Sequence, residues 1–227
     1  MLPGPDQIIE CPECKALAKV STLASGNTFG ARWWTDGKVD APMLPEQPAI
    51  TKCTACGDFY WLSDANVVGE CFDGYIYERS GFEPSEQEKI PDDWDKAGWI
   101  GALTEEELVE AIAAGAAHSR EQELYLRIRL WWATNEPFRD REGDDPDQVL
   151  LLRSAVGTTN LERLLNLLNL EEPDEQIMKA EVARELGRFD EALLILESGV
   201  SPELEDVAAL IRKFAQEGDS MVKEVVN

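Results

Sequence analysis

The spacing of hydrophobic and polar positions changes near the middle of this chain. Up to about residue 83, short apolar runs such as KALAKVSTL and FGARWW alternate with turn signals such as SGN and TDGK. Short runs bounded by Gly, Asn and Asp are typical of β-strands joined by tight turns, and Asp36-Gly37 is a two-residue hairpin signal. The sequence therefore predicts a small β domain over residues 1–83.

A polar stretch follows, interrupted by Pro84 and Pro91. Proline is excluded from helix interiors and central strands, so we interpret residues 84–103 as a linker between two domains.

From residue 104 onward, the apolar positions recur with the spacing of an α-helix. Thr104 and Glu107 form the capping-box pattern that starts a helix, and Leu108 and Ile112 then share one face. Five further segments repeat this spacing, at residues 121–137, 158–174, 174–187, 189–198 and 201–218. The sequence thus predicts an α+β protein, with the β domain followed by an all-helical domain of about six helices over residues 104–227.

The charge of the chain disfavours negatively charged partners. The formal net charge is -24, and both the β part and the helical part are acidic. Such a surface repels phosphate groups, which disfavours nucleic acids and anionic membranes as partners. The sequence has no apolar run of about eighteen residues, and its first residues lack the basic and apolar regions of a signal peptide. We therefore expect a cytoplasmic protein that is not embedded in a membrane.

Four of the five cysteines form two pairs with the same spacing. Cys11 and Cys14 lie in ECPECK, and Cys53 and Cys56 lie in TKCTACGDFY. A two-residue gap lets one turn present two sulfurs to an ion, and two such turns complete a tetrahedron. Gly57 permits the positive φ that such turns often need. A thioredoxin-like pair would need a βαβ setting, which the sequence does not predict. We predict a zinc site, and iron fits the same four ligands.

The predicted zinc site is structural because the protein fills all four positions and leaves none for water or substrate. Four thiolates around one dication carry a net charge of about -2. Lys15 and Lys52, which flank the cysteine pairs, are expected to offset this charge together with backbone N–H groups. Cys71 is left over, and we interpret it as a small buried hydrophobic residue on a strand.

Trp33 and Trp34 stand next to each other before the hairpin turn. Adjacent residues of a strand point to opposite faces, so the two indoles do not share one surface. In one interpretation, they belong to an aromatic loop that receives a peptide or a small ligand. In the other, which we prefer, one covers the metal site and the other packs on the helical domain.

The sequence predicts no catalytic set. The single histidine, His118, lies at the end of an Ala-rich helix, where a histidine favours the helix dipole. No glycine-rich phosphate-binding loop is present. We therefore assign no catalytic residue.

Residues 180–203, AEVARELGRFDEALLILESGVSPE, resemble one tetratricopeptide repeat (TPR). The small Gly187 and Ala192 let two helices approach, and Phe189 fills the turn between them. The whole layout resembles a group of bacterial proteins of unknown function that combine an N-terminal four-cysteine zinc ribbon with a C-terminal TPR-like region. The resemblance implies this fold and a cytoplasmic compartment, and it implies no activity. TPR regions usually bind peptides or partner proteins.

Three hypotheses about function follow. The first is a non-enzymatic protein-interaction or scaffold protein, in which the helical array offers a groove for a protein partner or a surface for homo-oligomerisation. The second is a nucleic-acid-binding zinc ribbon, which needs a basic face built from Lys15, Lys19, Arg32, Lys38 and Lys52. The third is an enzyme with an acid-lined cleft between the domains and an unknown reaction. We prefer the first.

Overall fold

The structure is a computed structural model that describes residues 1–73, 75–76, 89–139 and 154–225. Strands dominate the first part of the chain and helices the second, so the protein is α+β as predicted. The chain divides into two units. The β unit comprises Met1–Ala31 and Ala41–Glu107, and the helical unit comprises Arg32–Asp40 and Leu108–Asn227. The predicted domain boundary at residue 84 lies outside the described residues.

Short strands build the β unit. Their bounds are β1 Leu2–Pro3, β2 Asp6–Glu10, β3 Leu17–Val20, β4 Leu23–Ser25, β7 Ile50–Lys52, β8 Phe59–Trp61, β9 Asn66–Phe72, β10 Tyr75–Ile76 and β11 Gly98–Trp99. The largest sheet has the order β10-β9-β2-β3-β11, in which only the β3–β11 pair is parallel. Two antiparallel pairs, β1–β4 and β7–β8, complete the unit.

Part of the predicted linker folds onto this sheet. Helix α1 (Asp92–Lys96) is followed by β11, and β11 pairs with β3. The Lys19 ammonium donates to the carbonyl of Asp95 over 2.8 Å. A Cβ atom on Gly69 would come within 2.1 Å of the Trp94 ring, so the indole packs directly on the strand backbone, which only glycine allows. Residues 89–103 therefore belong to the β unit, which corrects their assignment to a linker.

The Asp36-Gly37 turn forms the predicted hairpin, and this hairpin belongs to the helical unit. Its strands are β5 (Arg32–Trp33) and β6 (Val39–Asp40), with Trp33 opposite Val39. Trp34 is buried together with Phe138, Met221 and Val222. The sequence had placed this hairpin in the β domain, so the structure revises the predicted boundaries.

A buried ion pair explains why the hairpin folds with the helices. Asp36 is fully buried, and its carboxylate accepts hydrogen bonds from Arg139 Nη2 over 2.6 Å and from Asn135 Nδ2 over 2.9 Å. The Asp36 carbonyl also accepts from the Trp132 indole N–H over 2.9 Å. A buried carboxylate is tolerated only where such partners replace water. The turn is thus fixed to residues about a hundred positions further along the chain.

The helices of the second part match the predicted segments. Their bounds are α2 Glu105–Ala113, α3 Arg120–Asn135, α4 Ala155–Leu167, α5 Pro173–Glu185, α6 Phe189–Glu197 and α7 Glu205–Gln216. From α3 onward, each helix packs against the next one in the chain. The main core is apolar, with Trp131, Leu161, Leu164, Ala180, Ala183, Leu196 and Ile211 among its fully buried or nearly fully buried residues.

Helix α5 is the most deeply buried helix of this core. Glu181 and Arg184 are both fully buried and pair with each other, with 2.5 Å between Arg184 Nη2 and Glu181 Oε1. Arg184 also donates to the carbonyls of Asp219 and Met221. A buried guanidinium whose donors are all engaged costs far less than an isolated one. The pair therefore holds the C-terminal segment against α5.

The capping box at the start of α2 is confirmed. The backbone N–H of Glu107 donates to Thr104 Oγ1 over 3.2 Å, and the N–H of Thr104 donates to Glu107 Oε2 over 3.1 Å. We expect Thr104→Ala to lower the free energy of unfolding by about 1 kcal/mol, because it leaves a helix N–H without its acceptor. Thr104→Ser keeps the hydroxyl and is the matched control. Urea denaturation measures the difference, and equal stability of the two variants would contradict this role.

Candidate metal centre

Two β-hairpins of the β unit carry the cysteine pairs at their turns. The turn between β2 and β3 holds Cys11 and Cys14, and the turn between β7 and β8 holds Cys53 and Cys56. Each turn repeats the same backbone hydrogen bonds. Lys15 N–H donates to the Cys11 carbonyl over 3.0 Å, as the Gly57 N–H does to the Cys53 carbonyl over 2.9 Å. The two turns are therefore local copies of one another.

Both turns close through a residue with positive φ, four positions after the first cysteine. Gly57 has a φ of 84°, as predicted from its identity, and Lys15 has a φ of 62° at the equivalent position. A left-handed conformation is unfavourable for a residue with a Cβ atom. The first turn therefore adopts the same geometry without the glycine that marks the second turn in the sequence.

The four predicted sulfur atoms come together in one cluster. All four lie within 4.8 Å of one another, with 3.6 Å between the sulfurs of Cys14 and Cys53 and 3.9 Å between those of Cys11 and Cys56. Four sulfurs at about 2.3 Å from a central ion lie about 3.8 Å apart in a tetrahedron. A disulfide would bring two sulfurs to about 2.05 Å. The spacing therefore fits four thiolates around one metal ion.

The cluster has a buried side and an exposed side. Cys11 and Cys53 are buried together with Ile9, Val20 and Tyr60 in the core of the β unit, whereas Cys14 and Cys56 are exposed. The ligands thus bridge the core and the surface. A metal held by all four would tie both hairpin turns to the small apolar core behind them.

The two buried cysteines differ in how readily their thiols ionise. Burial raises the pKa of the Cys11 thiol, and the nearby backbone N–H groups of Cys14 and Glu13 act in the opposite direction. Burial also opposes ionisation of Cys53, but the backbone of Cys56 and Ala55 and the thiols of Cys56 and Cys14 favour it and lower its pKa to about 7. Donation from the turn to sulfur was expected from the sequence, and it favours metal-binding thiolates.

The pKa of Tyr60 is affected by the neighbouring cysteine cluster. Its ring belongs to the buried core behind the cysteines. Burial and the neighbouring cysteine sulfurs raise the pKa of its hydroxyl to about 12. The negative potential of the sulfurs therefore reaches into the core, where a bound dication would offset it.

The two lysines beside the cysteine pairs lie in different settings. Lys15 is exposed at the positive-φ position of the first turn. Lys52 ends β7 and places its ammonium over the Phe59 ring, 5.2 Å from the ring centroid. Their role in offsetting the charge of the cluster remains a prediction.

Cys71 lies apart from the cluster, on β9. It is 5% exposed and stands opposite Asp6 in the sheet. Burial, followed by the charge of Asp6, raises the pKa of its thiol. This confirms the expected buried residue on a strand and makes Cys71 a control for the four ligands.

Trp33 and Trp34 differ in exposure, as expected for neighbouring residues of a strand. Trp34 is 4% exposed and Trp33 is 40% exposed. Arg32 and Arg139 stack on the Trp34 ring at 4.7 and 4.8 Å from its centroid. Trp34 thus packs within the helical unit, and Trp33 is an exposed residue of the same unit. That one of the two indoles covers the metal site stays a prediction.

His118 does not lie on a helix. Helix α2 ends at Ala113 because Gly115 adopts a φ of 70° and Ala116 N–H bonds back to the Ala111 carbonyl. His118 is exposed in the following loop, where its backbone N–H donates to Gln122 at the start of α3. The expected interaction with a helix dipole at the end of α2 is therefore replaced by a contact with the next helix.

Sequence reasoning missed a buried polar network in the helical unit. Asn135 donates to both Asp36 and Glu185, over 2.9 and 3.0 Å, and the Trp131 indole N–H donates to Glu185 over 2.9 Å. These residues are fully buried. The one sequence feature near this network is the Asp-Gly turn, which predicts a hairpin but does not predict its distant hydrogen-bond partners.

Comparison of the chain with known protein families, with curated proteins and with solved structures gives no match. Within the residues that the structure describes, none of the helices combines the length and apolar character needed to cross a bilayer. Function is therefore argued from the residues and their geometry.

Proposed function

We propose that the protein is a non-enzymatic interaction or scaffold protein whose β unit is held together by a structural zinc ion. The observation that carries the proposal is the set of four sulfurs within 4.8 Å of one another, two cross-turn pairs of which are 3.6 and 3.9 Å apart. Thiolates are soft ligands that select zinc or iron. Four protein ligands complete the tetrahedron, so the ion stabilises the fold and has no position left for a substrate. The proposal places the protein in the cytoplasm, where thiols stay reduced.

The helical unit supplies the interaction part of the proposal. Helices α5 and α6 form a hairpin that turns at Gly187, whose φ is 72°. The Arg188 N–H bonds back to the Ala183 carbonyl over 2.9 Å and closes the end of α5. Successive packing of such helices is the arrangement that TPR-like arrays use to offer extended faces to peptides. It supports a protein partner, as the resemblance implies.

The nucleic-acid hypothesis gains no support from the cations on which it depends. Four of the five hold partners, since Arg32 pairs with Glu224 and Lys38 with Glu136. Lys19 binds a backbone carbonyl, and Lys52 covers the Phe59 ring. Arg32 and Lys38 moreover belong to the helical unit, and the others to the β unit. We therefore keep this hypothesis as an outcome of the test below.

The enzyme hypothesis lacks a named reaction. The most deeply buried carboxylates of the helical unit, Asp36, Glu181 and Glu185, accept hydrogen bonds from buried donors. Such bonds fix side chains within a core. They support a structural role for these acids, and we rank catalysis last.

Affinity capture from a bacterial lysate tests the proposed function. The bait is the full-length chain, checked for zinc content, with the tag alone as background. We expect protein partners that remain bound after nuclease treatment. Partners that disappear with nuclease would favour the nucleic-acid hypothesis, and no enrichment over the tag would contradict an interaction protein.

A further inference from the structure

Three segments of the β unit are almost free of charge. Residues 1–5, 22–31 and 41–48 contain a single charged residue, Glu46, in a chain with 29% charged residues and a net charge of -24. They also carry large exposed hydrophobic side chains, with exposed fractions of 63% for Leu2, 81% for Phe29, 37% for Met43 and 44% for Leu44. We call these four side chains and the segments that carry them the apolar patch.

The three segments contact one another. Leu2 of β1 stands opposite Ser25 of β4, which ties the first segment to the second. A Cβ atom on Gly26 would come within 2.6 Å of Leu44 Cδ1, so the second and third segments are in contact. The Asn27 N–H donates to the Met43 carbonyl over 3.3 Å. The segments that carry the four exposed side chains are therefore neighbours within the β unit.

The charge distribution indicates what covers this patch. Two copies of a protein that meet about a two-fold axis bring the same surface together. In a chain with a net charge of -24, most surfaces would then face their own carboxylates, and like charges across an interface are unfavourable. The apolar patch avoids this repulsion, since its one charge is Glu46. A partner that binds this chain through charge would be basic, and it would bind the acidic surfaces outside the apolar patch.

We propose that two copies of this chain dimerise through their apolar patches, with Phe29, the most exposed of the four side chains, as the anchor. The proposal rests on the proposed interaction function and names one partner for it. Aromatic side chains at the centre of an interface commonly dominate its affinity. Self-association was expected from the helical array, whereas the patch lies in the β unit.

The dependence on salt distinguishes this interface from a charged one. Complementary charges attract less strongly at high ionic strength. Here the interface is nearly uncharged while the rest of the two copies is acidic, so salt screens their mutual repulsion. Dimerisation should therefore strengthen as salt rises from about 0.05 to about 0.5 M, where the screening length falls well below about 10 Å.

Sedimentation equilibrium of the full-length protein tests the proposal. We expect a monomer–dimer equilibrium with a lower Kd at high salt, and Phe29→Ser should raise the Kd at least about tenfold, as loss of an anchor residue does. Leu194→Ser is the matched control, because Leu194 is 66% exposed and belongs to the helical unit. It should leave the Kd unchanged. Circular dichroism and zinc content establish that each variant is folded.

Three results would overturn the dimer. The first is a monomer at both salt concentrations up to about 0.1 mM protein, which is far above the Kd of most specific complexes. The second is a Kd that Phe29→Ser does not change. The third is dimerisation that weakens as the salt concentration rises. Because lysate capture is measured separately, a monomer that still captures proteins overturns the second-copy proposal and leaves the proposed function standing. A dimer without any other captured protein supports the second-copy proposal and counts against binding of other proteins.

Discussion

Removal of the metal is expected to unfold the β unit while the helices of the helical unit remain folded. The core of the β unit is small and includes two of the ligands, Cys11 and Cys53. Structural zinc contributes about 10–16 kcal/mol of binding free energy to such domains, which is comparable with the whole stability of a typical domain. The core of the helical unit contains none of the four cysteines, so it does not depend on the ion.

Hydrogen exchange followed by mass spectrometry measures this difference within one sample. After chelation, peptides covering β2, β3 and β7–β9 should exchange rapidly, and peptides covering α4–α7 should stay protected. Cys53→Ser should behave like the chelated protein, because it removes a buried ligand. Cys71→Ser is the control, since Cys71 is buried in the same unit but lies outside the cluster. Protected β strands after verified metal loss would contradict a structural ion.

The second large loss of stability is expected when the Asp36–Arg139 ion pair is broken. Both side chains are buried, with exposed fractions of 0% and 3%. Asp36→Ala leaves the Arg139 guanidinium buried without its main partner, which typically costs about 3–5 kcal/mol. We expect the variant to lose about this much stability in the urea unfolding of the helical unit, followed by circular dichroism.

Two further variants separate the ion pair from simple loss of packing. Asp36→Asn keeps the shape of the side chain and removes its charge, so it should cost stability but preserve more packing than Asp36→Ala. The double variant Asp36→Ala with Arg139→Met removes both charges. Its loss should be smaller than the sum of the two single losses, because the charge left unpaired by either single change is gone. Additive losses would show that the pair does not act as a unit.

Features set by neighbouring residues were predicted well from the sequence. Helices α2–α7 follow from a local period and local caps such as Thr104 with Glu107. The cysteine cluster follows from a spacing of two residues within each turn, which already fixes half of a tetrahedron. In both cases the physical cause lies within a few residues of the feature itself.

Features set by distant partners could not be predicted in this way. The hairpin at Asp36 belongs to the helical unit through Arg139, a residue 103 positions away. Helix α5 buries Glu181 and Arg184, which a hydrophobic pattern assigns to a surface, because the two charges satisfy one another. Likewise, residues 92–99 read as a polar linker, yet β11 completes a sheet edge beside β3.

Zinc-edge X-ray absorption spectroscopy of the purified full-length protein tests the central claim most directly, since it measures the ligands around the ion. We predict one zinc ion per chain with four sulfur ligands at about 2.3 Å, retained in Cys71→Ser and lost in Cys53→Ser. Nitrogen or oxygen ligands in the coordination sphere, or a folded β unit without a bound metal ion, would contradict the four-thiolate structural site.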